Sequence, residues 1–262
     1  MEEKKYKLDY NDSVSVSGRK LYRIISLVDM PFVAKGDKGG YIESEDNLSH
    51  SGEAWVFCGA KVYGNAMVCN NAHVFGRSKV YGNARIFGDA RVHEEAKVYG
   101  NAKVFDSAHV RGNSKIYGNA EVYGRAIISG EVQIYKDAKV SDSAYVYGNA
   151  RICGGARVCG DSQVSGIAHI HGSVVLYGMS RVFGDAYLGK SSDYFCAQSF
   201  GSQSRTTTFF RGKYGWLVSC GCFTGSIERF RKKVKETHKN TIIAKEYLLI
   251  ADLMELRTKR KK

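Results

Sequence analysis

Lys61-Val62-Tyr63-Gly64-Asn65-Ala66 is a typical copy of a six-residue repeat that runs from Ala54 to Leu188. A small residue, nearly always Ala or Ser, returns every six positions through 23 copies, and an aliphatic residue follows it two positions later. The register never shifts, and only Val132 and Val174 enlarge the small position. A fixed short period is typical of a solenoid, and a hexapeptide period predicts a β-helix.

Strand geometry explains which residue type each position of the repeat requires. Successive side chains of a strand point to opposite faces, so Val62 is expected to point inward while Lys61 and Tyr63 point outward. Gly64-Asn65 suits a corner because both residues tolerate positive φ, and Ala66 suits the narrow interior beside it. Three repeats per coil give a triangular prism with a period of 18 residues and about 7–8 coils.

The sequence changes character on both sides of the repeat. Residues 1–45 are expected to form a small N-terminal β cap with a strand at residues 21–27, and the prism starts near Gly40. Such caps are needed because an open terminal coil exposes apolar surface and unpaired strand edges. The predicted division is therefore residues 1–45, 46–189 and 190–262, in a mainly β protein.

Residues 190–262 predict a small ββαα module. Strands at residues 205–211 and 216–220 flank a turn and form a hairpin. A helix is expected to begin near Thr224 or Ser226 and to end near residue 237. A second helix, residues 241–256, has apolar side chains at helical spacing.

Charge and cysteine content limit the classes of partner and compartment. The net charge is +13, and residues 190–262 hold sixteen basic and six acidic residues, a net charge of +10. This excess favours an acidic partner, either a protein surface or nucleic acid. The odd number of cysteines, seven, and the lack of an apolar leader or membrane-spanning run predict a reduced, cytoplasmic protein without a membrane partner.

The repeat resembles a known superfamily. An aliphatic residue followed four positions later by Ala, Ser or Val is similar to the signature of hexapeptide-repeat, left-handed β-helix proteins, which include the trimeric LpxA-like acyltransferases. The Val-Tyr-Gly-Asn-Ala arrays, and residues 35–49 before them, look like YdcK-like proteins and prophage repeat proteins. The resemblance implies a left-handed coil, a homotrimer, and a prophage-encoded protein acting in the host cytoplasm.

The period of 18 aligns outward side chains into columns on one face. Stacked rings stabilise a strand ladder through aromatic contacts. An aromatic and basic stripe also suits a trimer or partner interface, or single-stranded nucleic acid bound by base stacking. These three hypotheses concern the binding candidates Tyr63, Tyr81, Tyr99 and Tyr117, whose column continues to Tyr135, and, beside them, Lys61, Lys79, Lys97 and Lys115.

Acyl transfer is the activity that the resemblance implies. Hexapeptide acyltransferases use acyl-CoA, a histidine as general base and a loop extruded from a coil. His73 and His109 are the candidate bases here, but their column places Arg91 between them and the repeat has no inserted loop. We therefore expect these histidines to occupy outward positions without a catalytic role, and we predict no cofactor.

The C-terminal module contains two further candidate sites. Cys220 and His238 are a candidate nucleophile and base, and Cys220 with Cys222 is a candidate metal pair, but packing at a strand end is the expected role and no metal is predicted. An anion pocket is the other hypothesis, because Gly-rich loops and helix starts bind phosphate well. It would be formed by residues 202 and 205–207 facing the Gly221–Gly225 loop; the binding candidates here are Arg205, Thr206, Thr207, Cys222, Lys232 and Lys233.

These observations favour a non-enzymatic binding protein. The rigid prism would present the basic C-terminal module to an acidic surface of a host protein, as an adaptor or inhibitor. The alternatives are an acyltransferase that uses acyl-CoA and a nucleic-acid-binding protein, whose affinity should fall steeply with salt.

Overall fold

The hexapeptide repeat forms 23 strands of two residues each in the computed structural model, which describes residues 4–201 and 203–259. Neighbouring strands within each sheet are parallel and start 18 residues apart, as Lys79, Lys97 and Lys115 illustrate. Three parallel sheets result, one on each side of a prism of about eight coils. The predicted parallel β-helix is confirmed, and its left-handed sense stays a prediction.

We name the three faces of the prism by side chains that they carry. The tyrosine face consists of Lys61–Val62, Lys79–Val80, Lys97–Val98, Lys115–Ile116, Gln133–Ile134, Arg151–Ile152, His169–Ile170 and Tyr187–Leu188. The histidine face consists of Trp55–Val56, His73–Val74, Arg91–Val92, His109–Val110, Ile127–Ile128, Tyr145–Val146, Gln163–Val164 and Arg181–Val182. The charged face consists of Met67–Val68, Arg85–Ile86, Lys103–Val104, Glu121–Val122, Lys139–Val140, Arg157–Val158 and Val175–Leu176.

The interior of the prism is a continuous stack of aliphatic and small side chains. Val62 and Ala66 are buried as the strand alternation predicts, and the larger Val132 and Val174 are also fully buried. Coils stack closely at the corners: a Cβ added to Gly82, whose φ is +72°, would lie 3.0 Å from the backbone nitrogen of the next coil. Backbone conformation and close stacking both favour glycine at that position.

The N-terminal cap continues the sheet of the tyrosine face. Tyr6–Val16 and Arg19–Ser26 form an antiparallel pair, and Arg19–Ser26 also pairs with Lys38–Ile42. Lys38–Ile42 is in turn parallel to Lys61–Val62, so the prism begins near Gly40 as predicted. The short 3₁₀ helix Glu45–Asn47 follows. The first of these strands was not predicted; a bulge between Asp9 and Ser13 interrupts its alternation.

The C-terminal module is a four-stranded antiparallel sheet with two helices. A 3₁₀ turn, Ser191–Asp193, precedes the strands, which pair in chain order; helices α1 and α2 follow. The predicted hairpin and both predicted helices are present, and the structure adds a strand before the hairpin and another after it. The elements are Tyr194–Phe200, Arg205–Gly212, Gly215–Cys220, Phe223–Ser226, α1 at Ile227–His238 and α2 at Ile242–Lys259.

The module's sheet has two apolar faces, and each packs into a different hydrophobic core. Phe210 joins the core of the prism and meets Phe183 edge to face, with ring centroids 5.0 Å apart. The adjacent Phe209 points to the opposite face, where it packs against Phe230 of α1. The sheet therefore closes the last coil with one face and supports the helices with the other. A hydrogen bond of 3.1 Å from the Arg181 backbone N–H to Oγ1 of Thr208 adds a polar link.

Candidate binding cleft in the C-terminal module

A cleft of about 230 Å³ opens between the sheet of the module and its helices. Sheet residues come from the start of Arg205–Gly212 and from the turn after Gly215–Cys220, while α1 and α2 supply the opposite wall. The lining residues are Gln203, Arg205, Cys220, Gly221, Cys222, Phe223, Phe230, Lys233, Val234, Thr237, His238 and Tyr247.

Arg205 lies at the rim of the cleft, across the turn at Gly221. It is the first residue of its strand, and its side chain is exposed. A Cβ added to Gly221 would come 2.7 Å from Nη1 of Arg205, and the φ of Gly221 is +58°. Glycine at this turn therefore satisfies the backbone conformation and leaves space for the guanidinium group.

Aromatic and aliphatic side chains form the floor of the cleft. Phe230 and Val234 lie one helical turn apart on α1 and are 2% and 4% exposed, and Tyr247 of α2 is 6% exposed. The rings of Phe230 and Tyr247 meet edge to face at 5.6 Å, and Phe223 lies 5.5 Å from Phe230. Phe223, which is half-buried, leaves apolar surface open to the cleft that a bound group can cover.

A short chain of hydrogen bonds links the sheet to α2 through two residues that line the cleft. Thr207 is fully buried, and its hydroxyl donates to Sγ of Cys220 at 3.1 Å. The thiol of Cys220 in turn donates to the hydroxyl oxygen of Tyr247 at 3.7 Å. Burial, followed by the hydrogen bond from Cys220, raises the pKa of Tyr247, so its phenol stays protonated at neutral pH.

The charged groups of the cleft have one sign. Arg205 and Lys233 are exposed at its rim, and the His238 ring lies beside Tyr247 with centroids 5.7 Å apart. The lining residues that the structure describes include no carboxylate, and neither rim cation has a described carboxylate within 4.0 Å. This arrangement suits a ligand with a negative charge and an apolar body.

The structure brings several of the predicted binding residues together here. Arg205, Cys222 and Lys233 line the cleft, together with Cys220 and His238. Lys232 is exposed on α1 outside the lining, and Thr206 is half-buried outside it as well. Thr207 lies behind Cys220, where its hydroxyl is already engaged. Ser202, part of the predicted anion pocket, lies outside the described residues.

The start of α1, which the anion-pocket hypothesis includes, lies outside the lining of the cleft. Helix α1 begins at Ile227, where the Ser226 side chain accepts a hydrogen bond from the backbone N–H of Arg229. The cleft instead lies along the second half of α1, from Phe230 to His238. Side-chain cations therefore supply the positive potential, and the backbone N–H groups of the helix start do not face the cleft.

The tyrosine column of the prism is a continuous linear stack of aromatic rings. Successive rings from Tyr63 to Tyr135 have centroids 4.9–5.0 Å apart and planes within 1–3°. Each inner ring therefore has both faces covered by its neighbours, and a nucleobase cannot stack on it. Burial raises the pKa of Tyr81 and Tyr99. The Lys61, Lys79, Lys97 and Lys115 column runs beside the rings in strict register.

His73 and His109 lie in one column of the histidine face, separated by Arg91. At the usual strand spacing they are about 10 Å apart, so they do not form a pair. The His73 ring packs edge to face against Phe32 and Phe57, at 5.7 and 5.3 Å. Burial and then Arg91 lower the pKa of both histidines, which keeps them neutral at pH 7.

Two kinds of feature are absent from the described part of the chain. No group of three or more His, Cys, Asp or Glu side chains is arranged to hold a metal ion there. None of the described helices has the length and apolar character needed to cross a membrane. All seven cysteines are free thiols, and Cys58 and Cys222 are the exposed ones.

The sequence comparisons agree with the coil geometry. A family model described as the YdcK beta solenoid repeat matches residues 79–94. The matched segment begins with Lys79–Val80 on the tyrosine face and continues through Arg85–Ile86 and Arg91–Val92, one strand on each face. No curated protein has a sequence that matches the chain. The match and the coils together identify the chain as a hexapeptide-repeat β-solenoid protein, similar to the YdcK beta solenoid repeat.

Proposed function

We propose that the protein acts by binding: the solenoid holds the C-terminal module in a fixed position, and the module docks on an acidic surface of a partner protein. The prophage resemblance of the repeat makes a host protein the proposed partner, with the chain as its adaptor or inhibitor. The observation that carries this proposal is the row of exposed cations on α1. The prism contributes rigid length and, as the superfamily resemblance implies, a surface for a homotrimer.

Helix α1 displays positive charge that its own module does not neutralise. Arg229, Lys232 and Lys235 are exposed, and none has a carboxylate within 4.0 Å among the described residues. Arg231 differs, because it contacts Asp252 and Glu255 of α2 at 2.7 and 3.1 Å. The internal ion pairs thus fasten α1 to α2, while the outer cations remain available to a partner. Such charge complementarity speeds association and selects partners.

The prism supports this role by being continuous. Residues 54–188, all of which the structure describes, contain no inserted loop between the 23 strands. Each coil contacts only its neighbours, which makes a solenoid a stiff spacer of adjustable length. The last coil is joined to the module through Phe210 and Thr208, so the module is held against the prism.

The continuous tyrosine stack favours a protein partner over single-stranded nucleic acid. Binding of single strands combines cationic grooves with aromatic faces on which bases stack. The inner rings of the tyrosine column have no free face, as their separation of 4.9–5.0 Å requires. The cations of α1 remain able to attract phosphates, so the experiment must separate the two partner classes.

Affinity capture from lysate, with and without nuclease treatment, tests the proposal with two charge-reversal variants of the full chain. The first carries Arg229→Glu, Lys232→Glu and Lys235→Glu on α1. The matched control carries Lys79→Glu, Lys97→Glu and Lys115→Glu on the tyrosine face, which changes the net charge equally. We expect a captured protein to be lost only with the first variant. Capture that disappears after nuclease treatment, or that both variants lose equally, would contradict the proposal.

A further inference from the structure

We propose that the cleft of the C-terminal module is a binding site for a carboxylate joined through a short arm to a small apolar group. This inference is independent of the protein partner, because Arg229, Lys232 and Lys235 do not line the cleft. It rests on the composition, size and accessibility of the cleft.

The rim of the cleft favours an anion, because two exposed cations line it. Arg205 and Lys233 come from opposite walls, one from the sheet and one from α1. A negative group between them would compensate both charges, and no described lining residue does so. The guanidinium of Arg205 offers two parallel N–H donors, a geometry that matches the two oxygens of a carboxylate.

The floor of the cleft favours an apolar group next to that anion. Phe223, which is half-buried, and the more deeply buried Phe230 and Val234 line the cleft together with the two cations. A bare inorganic anion would leave this apolar surface hydrated, so burial of the surface would contribute nothing to its affinity. An aromatic or branched aliphatic group on the carboxylate would instead cover the floor.

The volume of the cleft sets the size of the ligand. Its volume of about 230 Å³ corresponds to roughly eight water molecules, each with a share of about 30 Å³ in the liquid. One aromatic ring with a short carboxylate arm fits such a space. Two sources share this chemistry: a free aryl or branched-chain acid, and the terminal residue of a peptide with a free carboxyl end.

Calorimetric titration of the full chain tests the assignment with phenylacetate as the probe. A dissociation constant on the order of 1 mM or tighter is expected for a ligand of this size. Phenylacetamide has the same shape without the charge, and inorganic phosphate has charge without the ring. Both should bind at least about tenfold more weakly than phenylacetate. A short peptide ending in Phe, with a free or an amidated end, distinguishes the two sources.

Arg205→Ala should weaken phenylacetate binding about tenfold or more, because a charge-assisted hydrogen-bond pair is lost. Arg205→Lys, which keeps the charge without the fork, should fall between that variant and the native chain. Lys213→Ala is the matched control, because Lys213 is exposed at the far end of the same hairpin and does not line the cleft.

Thiol alkylation gives a second readout that does not depend on a variant. Cys222 lines the cleft and is exposed, whereas Cys58 is exposed on the distant N-terminal part of the prism. Phenylacetate should slow alkylation of Cys222 and leave Cys58 unaffected. The assignment is overturned if no binding occurs at about 10 mM, a concentration well above the expected constant. Equal binding of phenylacetamide or phosphate, or unchanged binding by Arg205→Ala, would overturn it as well.

Discussion

The side-chain amide of Asn83 donates a hydrogen bond to Oδ1 of Asn101 in the next coil, with the two atoms 2.9 Å apart. The same bond recurs along one corner of the prism, from Asn65 to Asn83 and from Asn101 to Asn119, before Asp137 accepts the last one. This asparagine ladder joins five coils on the outside of the corner.

Asn101→Ala should lower the free energy of unfolding by about 1 kcal/mol, because two ladder bonds are lost at an exposed position where water can replace them. Denaturant unfolding measures this change. Asn113→Ala is the control, since Asn113 holds the same position in its repeat but has Glu95 and Glu131 in its column. Equal losses from both substitutions would show that the ladder adds nothing.

The tyrosine column makes a separate contribution. Tyr99 stacks on Tyr81 and on Tyr117, with both pairs of ring centroids 4.9 Å apart. Tyr99→Ala should destabilise the chain by about 2 kcal/mol, since two ring contacts and their buried area are lost. Tyr99→Phe should be close to neutral because the stack is kept. If Tyr99→Phe destabilised the chain as much as Tyr99→Ala, the stabilisation would come from the hydroxyl group and not from the ring contacts.

The charged face contains an ion triplet around Glu121. Its carboxylate lies 2.7 Å from Nζ of Lys139 and 3.2 Å from Nζ of Lys103, and these bonds lower the pKa of Glu121. Glu121→Gln should reduce stability by about 1 kcal/mol at low salt and by less at high salt, because salt screens the exposed lysines. Glu131→Gln, on another exposed corner, should have little effect. If the loss of stability in Glu121→Gln were the same at low and high salt, the ion triplet would not be its cause.

Acid should destabilise the histidine face. Burial lowers the pKa of His73, His93 and His109, and arginines in the same columns add to this. A folded-state pKa below the unfolded value means that the unfolded chain binds more protons. The stabilisation is therefore complete above about pH 6.5 and is lost as the pH falls through the folded-state values.

Replacing these three histidines together with Gln should flatten the decline in unfolding midpoint between about pH 7 and about pH 5. His238→Gln, in the C-terminal module, is the control for loss of a histidine elsewhere. A decline as steep in the triple variant as in the native chain would assign the acid sensitivity to other groups.

The fold could be predicted because the same local conformational preference recurs in all 23 copies of the repeat. Each copy supplies an inward aliphatic residue, a corner residue and a turn, so errors at one copy do not accumulate. Elements that occur only once in the chain were harder to predict from the sequence. Gly221 and Gly225 predict turns and so a loop between them, whereas the structure has the strand Phe223–Ser226, which pairs with Gly215–Cys220 at the edge of the described sheet.

The cleft was only partly predictable for a similar reason. Arg205 and Cys222 were notable in the sequence by residue type, and the structure places both at the rim. The contributions of Phe230 and Tyr247 depend on how α1 and α2 pack, which the helical spacing of apolar residues does not specify. The spacing of Phe230 and Val234, one turn apart on α1, indicates a buried apolar stripe on that helix. It does not indicate that the stripe lines a cleft.

The most direct measurement of the proposed function is the affinity of the captured partner for the native chain and for the two charge-reversal variants. Reversal of Arg229, Lys232 and Lys235 should weaken binding at least about tenfold, because like charges would then face the acidic partner. Reversal of Lys79, Lys97 and Lys115 should leave the affinity within about twofold of native. Weaker binding by the second variant, with the first unchanged, would place the partner on the prism and contradict a role for the C-terminal module.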